Sequence, residues 1–167
     1  MNDSLRYTIR PALASDEPFL WEMLYQALYV EEGKAPYPRD VLNRPHVARY
    51  VSGWGRGGDM GFIAVYSNTQ QPLGAVWCRL ANGDDRGFAY VDDETPELGV
   101  AMLPEYRGRG IGTALIKYLF DAARGTYPAI SLSVSPNNPA MRLYERLGFR
   151  TIEVRGTHPV MKISLNA

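Results

Sequence analysis

The residues best suited to chemistry lie between Arg107 and Thr113, in the run RGRGIGT. Gly108, Gly110 and Gly112 are interleaved with Arg107 and Arg109. The run opens a segment in which Ile111, Ala114, Leu115, Tyr118, Leu119 and Ala122 share one helical stripe. A helix start leaves backbone N–H donors free and carries the positive end of the peptide dipoles. Glycines let a bulky anion approach those donors, and two guanidinium groups add charge-assisted bonds. The chemistry indicated is a phosphate or pyrophosphate cradle. A P-loop is excluded because no lysine follows these glycines. A dinucleotide fingerprint is excluded too. Counting G-x-G-x-x-G from Gly108 puts Thr113 at the last glycine position, and no acidic residue follows about 20 residues later. What fits is R-x-x-G-x-G, Arg107 to Gly112. The competing reading is a glycine-rich turn that only packs helix on sheet.

A second pattern lies downstream, from Ala129 to Phe149. Ile130, Leu132 and Val134 alternate with serines, as in a strand. Pro136, Asn137, Asn138 and Pro139 form a turn, with an Asn able to cap a helix and Pro139 suited to its first position. Ala140, Leu143, Tyr144 and Leu147 mark a short helix face, and Gly148 its C-cap. Taken in order and at this spacing, the two patterns resemble the paired signatures of the GNAT superfamily of acetyl-CoA-dependent N-acetyltransferases.

That resemblance implies a set of roles. Acetyl-CoA is the co-substrate, and its acetyl group passes directly to a primary amine. Its pantetheine arm lies along the central strand, where Leu98, Val100 and Met102 alternate with Glu97, Gly99, Ala101 and Leu103 before Pro104 ends it. The backbone of Val100–Leu103 is expected to bind that arm, with the Met102 N–H polarising the carbonyl. Arg107, Gly108, Arg109, Gly110, Ile111, Gly112 and Thr113 are expected to hold the pyrophosphate. Asn138, or Asn137, either bonds the pantetheine amides or caps the helix. Tyr144 matches the family's general acid for the leaving thiolate, a phenol near pKa 10 beside a thiol near 8.5; the alternative is a core tyrosine. Glu97 is the candidate general base, against the reading of a solvated strand-end carboxylate. The rival function is a non-catalytic acyl-CoA-binding or sensing domain, and turnover on an amine separates the two.

The acceptor is expected to be a small-molecule or peptide amine. Asp84, Asp85, Asp92, Asp93 and Glu94 could attract it, and Tyr25, Tyr29, Tyr37, Trp54, Phe88 and Tyr90 could wall it. The bland reading of both sets is a polar loop and ordinary aromatics.

The elements that must position these groups are legible along the chain. Tyr7 to Leu13 reads as a strand. Asp16 reads as the cap of a helix carrying Leu20, Met23, Leu24, Ala27 and Leu28. Residues 31–39 read as a mobile loop and Arg44 to Trp54 as a second helix. Phe62–Tyr66 and Leu73–Leu80 read as a strand pair, 81–94 as a polar loop, and Thr151–Arg155 with Val160–Leu165 as a closing pair. The order is β-α-α-β-β-β-α-β-α-β-β, which predicts an α/β (α+β) domain over 1–167, with helices on both faces of a mixed, mostly antiparallel sheet. That is also the fold the resemblance implies.

Eighteen Lys and Arg balance 18 Asp and Glu, so net charge drives binding to neither nucleic acid nor membrane. One cysteine, Cys78, excludes an internal disulfide and reads as a packed apolar residue. His46 and His158 are isolated, so no metal is implied. With no leader or apolar span recognised, the expected location is the cytoplasm. A homodimer is left open.

Overall fold

The computed structural model of the protein describes residues 5–166. Its strands are β1 (Tyr7–Pro11), β2 (Met60–Tyr66), β3 (Pro72–Arg79), β4 (Glu97–Met102), β5 (Ala129–Ser133), β6 (Arg150–Arg155) and β7 (His158–Ser164). The helices are α1 (Glu17–Ala27), α2 (Pro45–Ala48), α3 (Ile111–Ala123) and α4 (Ala140–Leu147). The strands form one sheet in the order β1-β2-β3-β4-β5-β7-β6. Every neighbouring pair is antiparallel except β4 and β5. A parallel pair needs a crossover, and α3 provides it. The element order and the mixed sheet are those expected from the sequence.

Period-two alternation in the central strands feeds two cores. Phe62 and Ala64 of β2 pack with Leu115, Leu119 and Phe120 of α3, and the flank of α4 closes on the same core. Ile63 and Val65 pack on the other face with Leu20 and Met23 of α1 and Val47 of α2. Burying such a side chain fully is worth about 1.5–3 kcal/mol, so both helix layers are needed to cover this sheet. β6 is exposed along its whole length at the sheet edge.

Four local expectations change. The buried line of α3 is Ile111, Leu115, Ile116, Leu119, Phe120 and Ala123. Tyr118 is 45% exposed and only touches Phe62 edge-on. The stripe is wider than expected because Phe120 reaches round to Phe149, 5.8 Å between ring centres. The second helix stops at Ala48, because the Arg79 guanidinium takes the carbonyls of Arg49 and Ser52 at 3.0 and 2.7 Å. Asp16 does not cap α1 with its side chain. Its carboxylate accepts the Arg10 guanidinium and the Leu13 N–H, closing the turn before the helix. Finally, the 31–39 segment is tethered: the Tyr25 hydroxyl donates to Tyr37 O and Arg39 pairs with Glu22.

β4 and β5 are paired at one position only, Glu97 with Ser131. Beyond it the strands part, and that gap is the main opening in the sheet.

Candidate active site

The edge of β4 facing the gap follows from two bonds. Ser131 N–H donates to Pro96 O at 3.0 Å, and Leu103 N–H to Leu73 O at 2.9 Å. Backbone groups alternate sides along a strand, so Leu98, Val100 and Met102 turn theirs toward β5, and Gly99, Ala101 and Leu103 toward β3. Val100 and Met102 lie past the last pairing and present their groups to the gap. Leu103 departs from the expected set: its N–H is taken by Leu73 and its C=O accepts the Tyr106 N–H.

The loop after β4 turns sharply into α3. Gly108 and Gly110 have φ of +74° and +81°, a conformation that costs other residues energy. No side chain caps α3. Ala114 is the first residue bonded back into it, at 3.1 Å to Gly110 O, which leaves the Ile111, Gly112 and Thr113 N–H groups without a partner among the described residues. A Cβ placed on Gly108, Gly110 or Gly112 would meet no atom within 4 Å. The space above the loop is therefore open. Arg109 is exposed beside the Tyr106 ring, and Arg107 donates to Gln26 Oε1 at 3.0 Å. Free donors, the helix dipole and guanidinium groups fit a pyrophosphate.

On the far side of the gap, Tyr144 sits half-buried on α4 with its ring edge-on to Phe149 at 5.9 Å. Burial pushes its phenol up to about 12, so it holds its proton at neutral pH. Its hydroxyl has no hydrogen-bond partner among the described residues. Asn138 does not occupy the cap position of α4, which Pro139 takes; its Oδ1 accepts the Ala140 N–H at 2.9 Å in the turn that enters the helix. Asn137 is committed elsewhere: its Nδ2 donates to Glu31 Oε1 and its carbonyl accepts the Tyr29 hydroxyl. An open hollow of about 510 Å³ beside them is lined by Pro136, Asn138, Met141, Arg142 and Glu145.

Glu97 is not the solvated carboxylate of the bland reading, nor is it open to the gap. It is 7% exposed and lies under the 81–94 loop. Oε1 accepts the Ala89 N–H, and a Cβ added to Gly87 would stand 2.0 Å from Oε2. Burial raises its pKa to about 7, against the pull of the Ala89 N–H, Arg49 and Arg155, while Asp85 raises it further. Tyr50, whose hydroxyl accepts the Phe88 N–H, is raised in turn by burial and by Glu97. The space lined by Tyr50, Asp85, Gly87 and Glu97 is about 10 Å³, room for one water at most.

The expected acceptor wall is mixed. Trp54 is core, at 6% exposure, and Asp85 is paired with Arg49. Tyr90 donates to Asp93, while Phe88 is 61% exposed. Sequence reasoning missed Ser131 and Ala89, both buried at the root of the gap. Ser131 alternates with Ile130 and Leu132, and the alternation alone says nothing of what lies over it. The 81–94 loop does, with Ala89 O accepting the Ser131 hydroxyl.

The geometry thus joins an open anion cradle to a parted parallel strand pair, with an unpartnered phenol across the gap. The description of the Acetyltransferase (GNAT) family matches residues 19–149. The chain belongs to this family.

Among GNAT relatives, it is similar to the [ribosomal protein bS18]-alanine N-acetyltransferase of Haemophilus influenzae, 34% identical over 80 residues, or 46% of this chain and 55% of that one. The chain thus spans about half the length of this curated relative. Two solved GNAT structures share the fold: the GNAT domain of S. lividans PAT and yncA of Salmonella typhimurium with its cofactor acetyl-CoA. The first has a TM-score of 0.68 at 19% identity, covering 96% of this chain and 94% of that one. The second has 0.66 at 19% identity, covering 97% and 95%. Among the described residues, no helix is long and apolar enough to cross a membrane, and no cluster of three or more His, Cys, Asp or Glu could hold a metal ion.

Proposed function

We propose that the protein is an N-acetyltransferase that moves an acetyl group from acetyl-CoA directly to a primary amine. The observation that carries this reading is the open, uncapped start of α3, with three free N–H donors beside glycines whose missing side chains leave the approach clear. Arg107, Gly108, Arg109, Gly110, Ile111, Gly112 and Thr113 hold the pyrophosphate in this reading. Val100 and Met102 bond the pantetheine arm along the β4 edge, and the Asn138 amide nitrogen can join them. Acetyl-CoA, when bound, supplies the thioester.

Direct transfer is supported by the state of the one cysteine. Cys78 is fully buried and its thiol is pushed up to about 12, so it offers no thiolate for an acyl-enzyme. The Met102 N–H donates to developing negative charge on oxygen. The Tyr144 hydroxyl gives its proton to the departing sulfur. The amine attacks as the free base. As the C–N bond forms and the C–S bond breaks, nitrogen loses its proton to water, which restores the phenol, because the Glu97 carboxylate lies under Gly87 and Ala89.

The test is thiol release from acetyl-CoA across a panel of small-molecule and peptide amines. At least one amine should give turnover. With that amine, Tyr144→Phe should lower kcat by about 10²–10⁴-fold while CoA affinity holds, since only the hydroxyl is lost. CoA binding without turnover on any amine would instead indicate a binding or sensing domain.

A further inference from the structure

The root of the gap is held by the backbone of one residue from outside the sheet. Ala89 belongs to the 81–94 loop and is 2% exposed. Its N–H donates to Glu97 Oε1, and its C=O accepts the Ser131 hydroxyl at 2.7 Å. Glu97 and Ser131 are themselves the one residue pair that joins β4 to β5. Ser131 is fully buried, and its own N–H closes the same junction by donating to Pro96 O. The Ala89 backbone therefore spans the vertex, its N–H and C=O each bonded to a side chain from one of the two strands.

Neighbouring contacts reinforce the arrangement. Gly87 lies so close over Oε2 that a side chain there would displace the Glu97 carboxylate or the Tyr50 hydroxyl, and the Phe88 N–H is taken by that same hydroxyl. The Phe88 carbonyl accepts the Arg155 guanidinium at 2.9 Å. Two successive loop residues are thus bonded to β4, β5, β6 and the segment after α2. Little room remains beside Glu97 for a substrate amine or a chain of waters.

We propose that Glu97 and Ser131 are a pair of positioning residues that clamp the Ala89 backbone across the vertex of the gap, and so hold the 81–94 loop as the acceptor-side wall. The consequence for turnover rests on the acetyltransferase reading. The clamp itself does not, and it is measurable on the free chain.

Amide hydrogen exchange on the full chain tests it, comparing wild type with Glu97→Gln, Glu97→Ala and Ser131→Ala. Glu97→Ala and Ser131→Ala should each speed exchange in 81–94 about tenfold or more, while exchange in α3 stays as in wild type. Combining them should add little, because both hold the backbone of the same residue. Glu97→Gln keeps an oxygen for the Ala89 N–H and should stay within about threefold of wild type. With an active amine, Ser131→Ala should raise the amine KM far more than it lowers kcat, and Glu97→Gln should restore most of the activity that Glu97→Ala loses.

Unchanged loop exchange in both alanine variants overturns the clamp. A Glu97→Gln protein with wild-type loop exchange and a kcat as low as Glu97→Ala overturns the assignment of Glu97 as a positioning residue and would make it the proton acceptor. That second arm stands even if Ser131→Ala fails to fold. Failure of the wild type to bind CoA or to turn over would sink the acetyltransferase reading and leave the exchange result standing.

Discussion

At the scale of single residues, burial sets the behaviour of the two groups that matter most. A carboxylate away from water is a poor ion, and Glu97 keeps its proton up to about pH 7, against 4.5 when unfolded. The native chain therefore holds more protons than the unfolded chain between those values, so the contribution of Glu97 to stability is full below pH 4.5 and is lost as pH rises toward 7. The loss is on the order of 3 kcal/mol. Glu97→Gln cannot ionise, so its stability relative to wild type should improve between pH 5 and pH 8 in urea unfolding. An equal gap at the two pH values would mean that burial costs this carboxylate nothing. The same physics serves Tyr144 in the opposite sense, because a phenol held near 12 remains a proton donor. Both residues stand out in the sequence by position relative to the glycine loop. Their surroundings do not, because the partners of Glu97 come from a polar loop with no periodicity and from a serine on another strand.

At the scale of elements, the start of α3 separates a glycine needed for folding from one kept clear for a ligand. Gly110 sits at φ +81°, where a side chain strains the backbone whatever the space. Gly112 lies in the first helical turn without positive φ, and a Cβ there meets nothing. Gly112→Ala should therefore leave the free protein as stable or up to about 1 kcal/mol more stable, from helix propensity alone. Gly110→Ala should cost stability of about that size. Yet Gly112→Ala should weaken CoA binding at least tenfold in calorimetric titration, because the methyl occupies the approach to the free N–H groups. Wild-type affinity in that variant would move the cradle elsewhere. The strand, turn and helix here were legible because glycine, proline and the helical repeat each act locally. The width of the buried stripe was not, since Phe120 is covered by Phe149, a residue far along the chain beyond α4.

At the scale of the whole molecule, the order of elements was readable because each strand and helix announces itself within a few residues. The parting of β4 from β5 was implied only by family resemblance. It depends on a crossover helix, on one register pair and on a clamp from a distant loop, none of which has a local signature. The parted strands also make a physical demand: the β4 edge carries backbone groups at Val100 and Met102 that face the gap, and α3 offers unpaired donors at its start. A ligand that reaches both should tie the two halves of the sheet together through contacts the unfolded chain cannot make. Binding at 100 times Kd adds about 2.7 kcal/mol of stability. For a chain of this length that corresponds to a rise in Tm of about 5–10 °C. Saturating CoA should produce a shift of that size. Pantetheine at the same concentration has the arm but no pyrophosphate, and should shift Tm far less. Equal shifts would mean that the arm alone supplies the binding energy and that the glycine-arginine loop contributes nothing. A CoA shift that also survives in Arg109→Ala but vanishes in Gly112→Ala would assign the pyrophosphate to the backbone donors rather than to that guanidinium. The exposed position of Arg109, held only by the Glu105 carbonyl and the Tyr106 ring, leads us to expect the intermediate result, with the shift reduced in Arg109→Ala and abolished in Gly112→Val, whose larger side chain closes the approach to the loop completely.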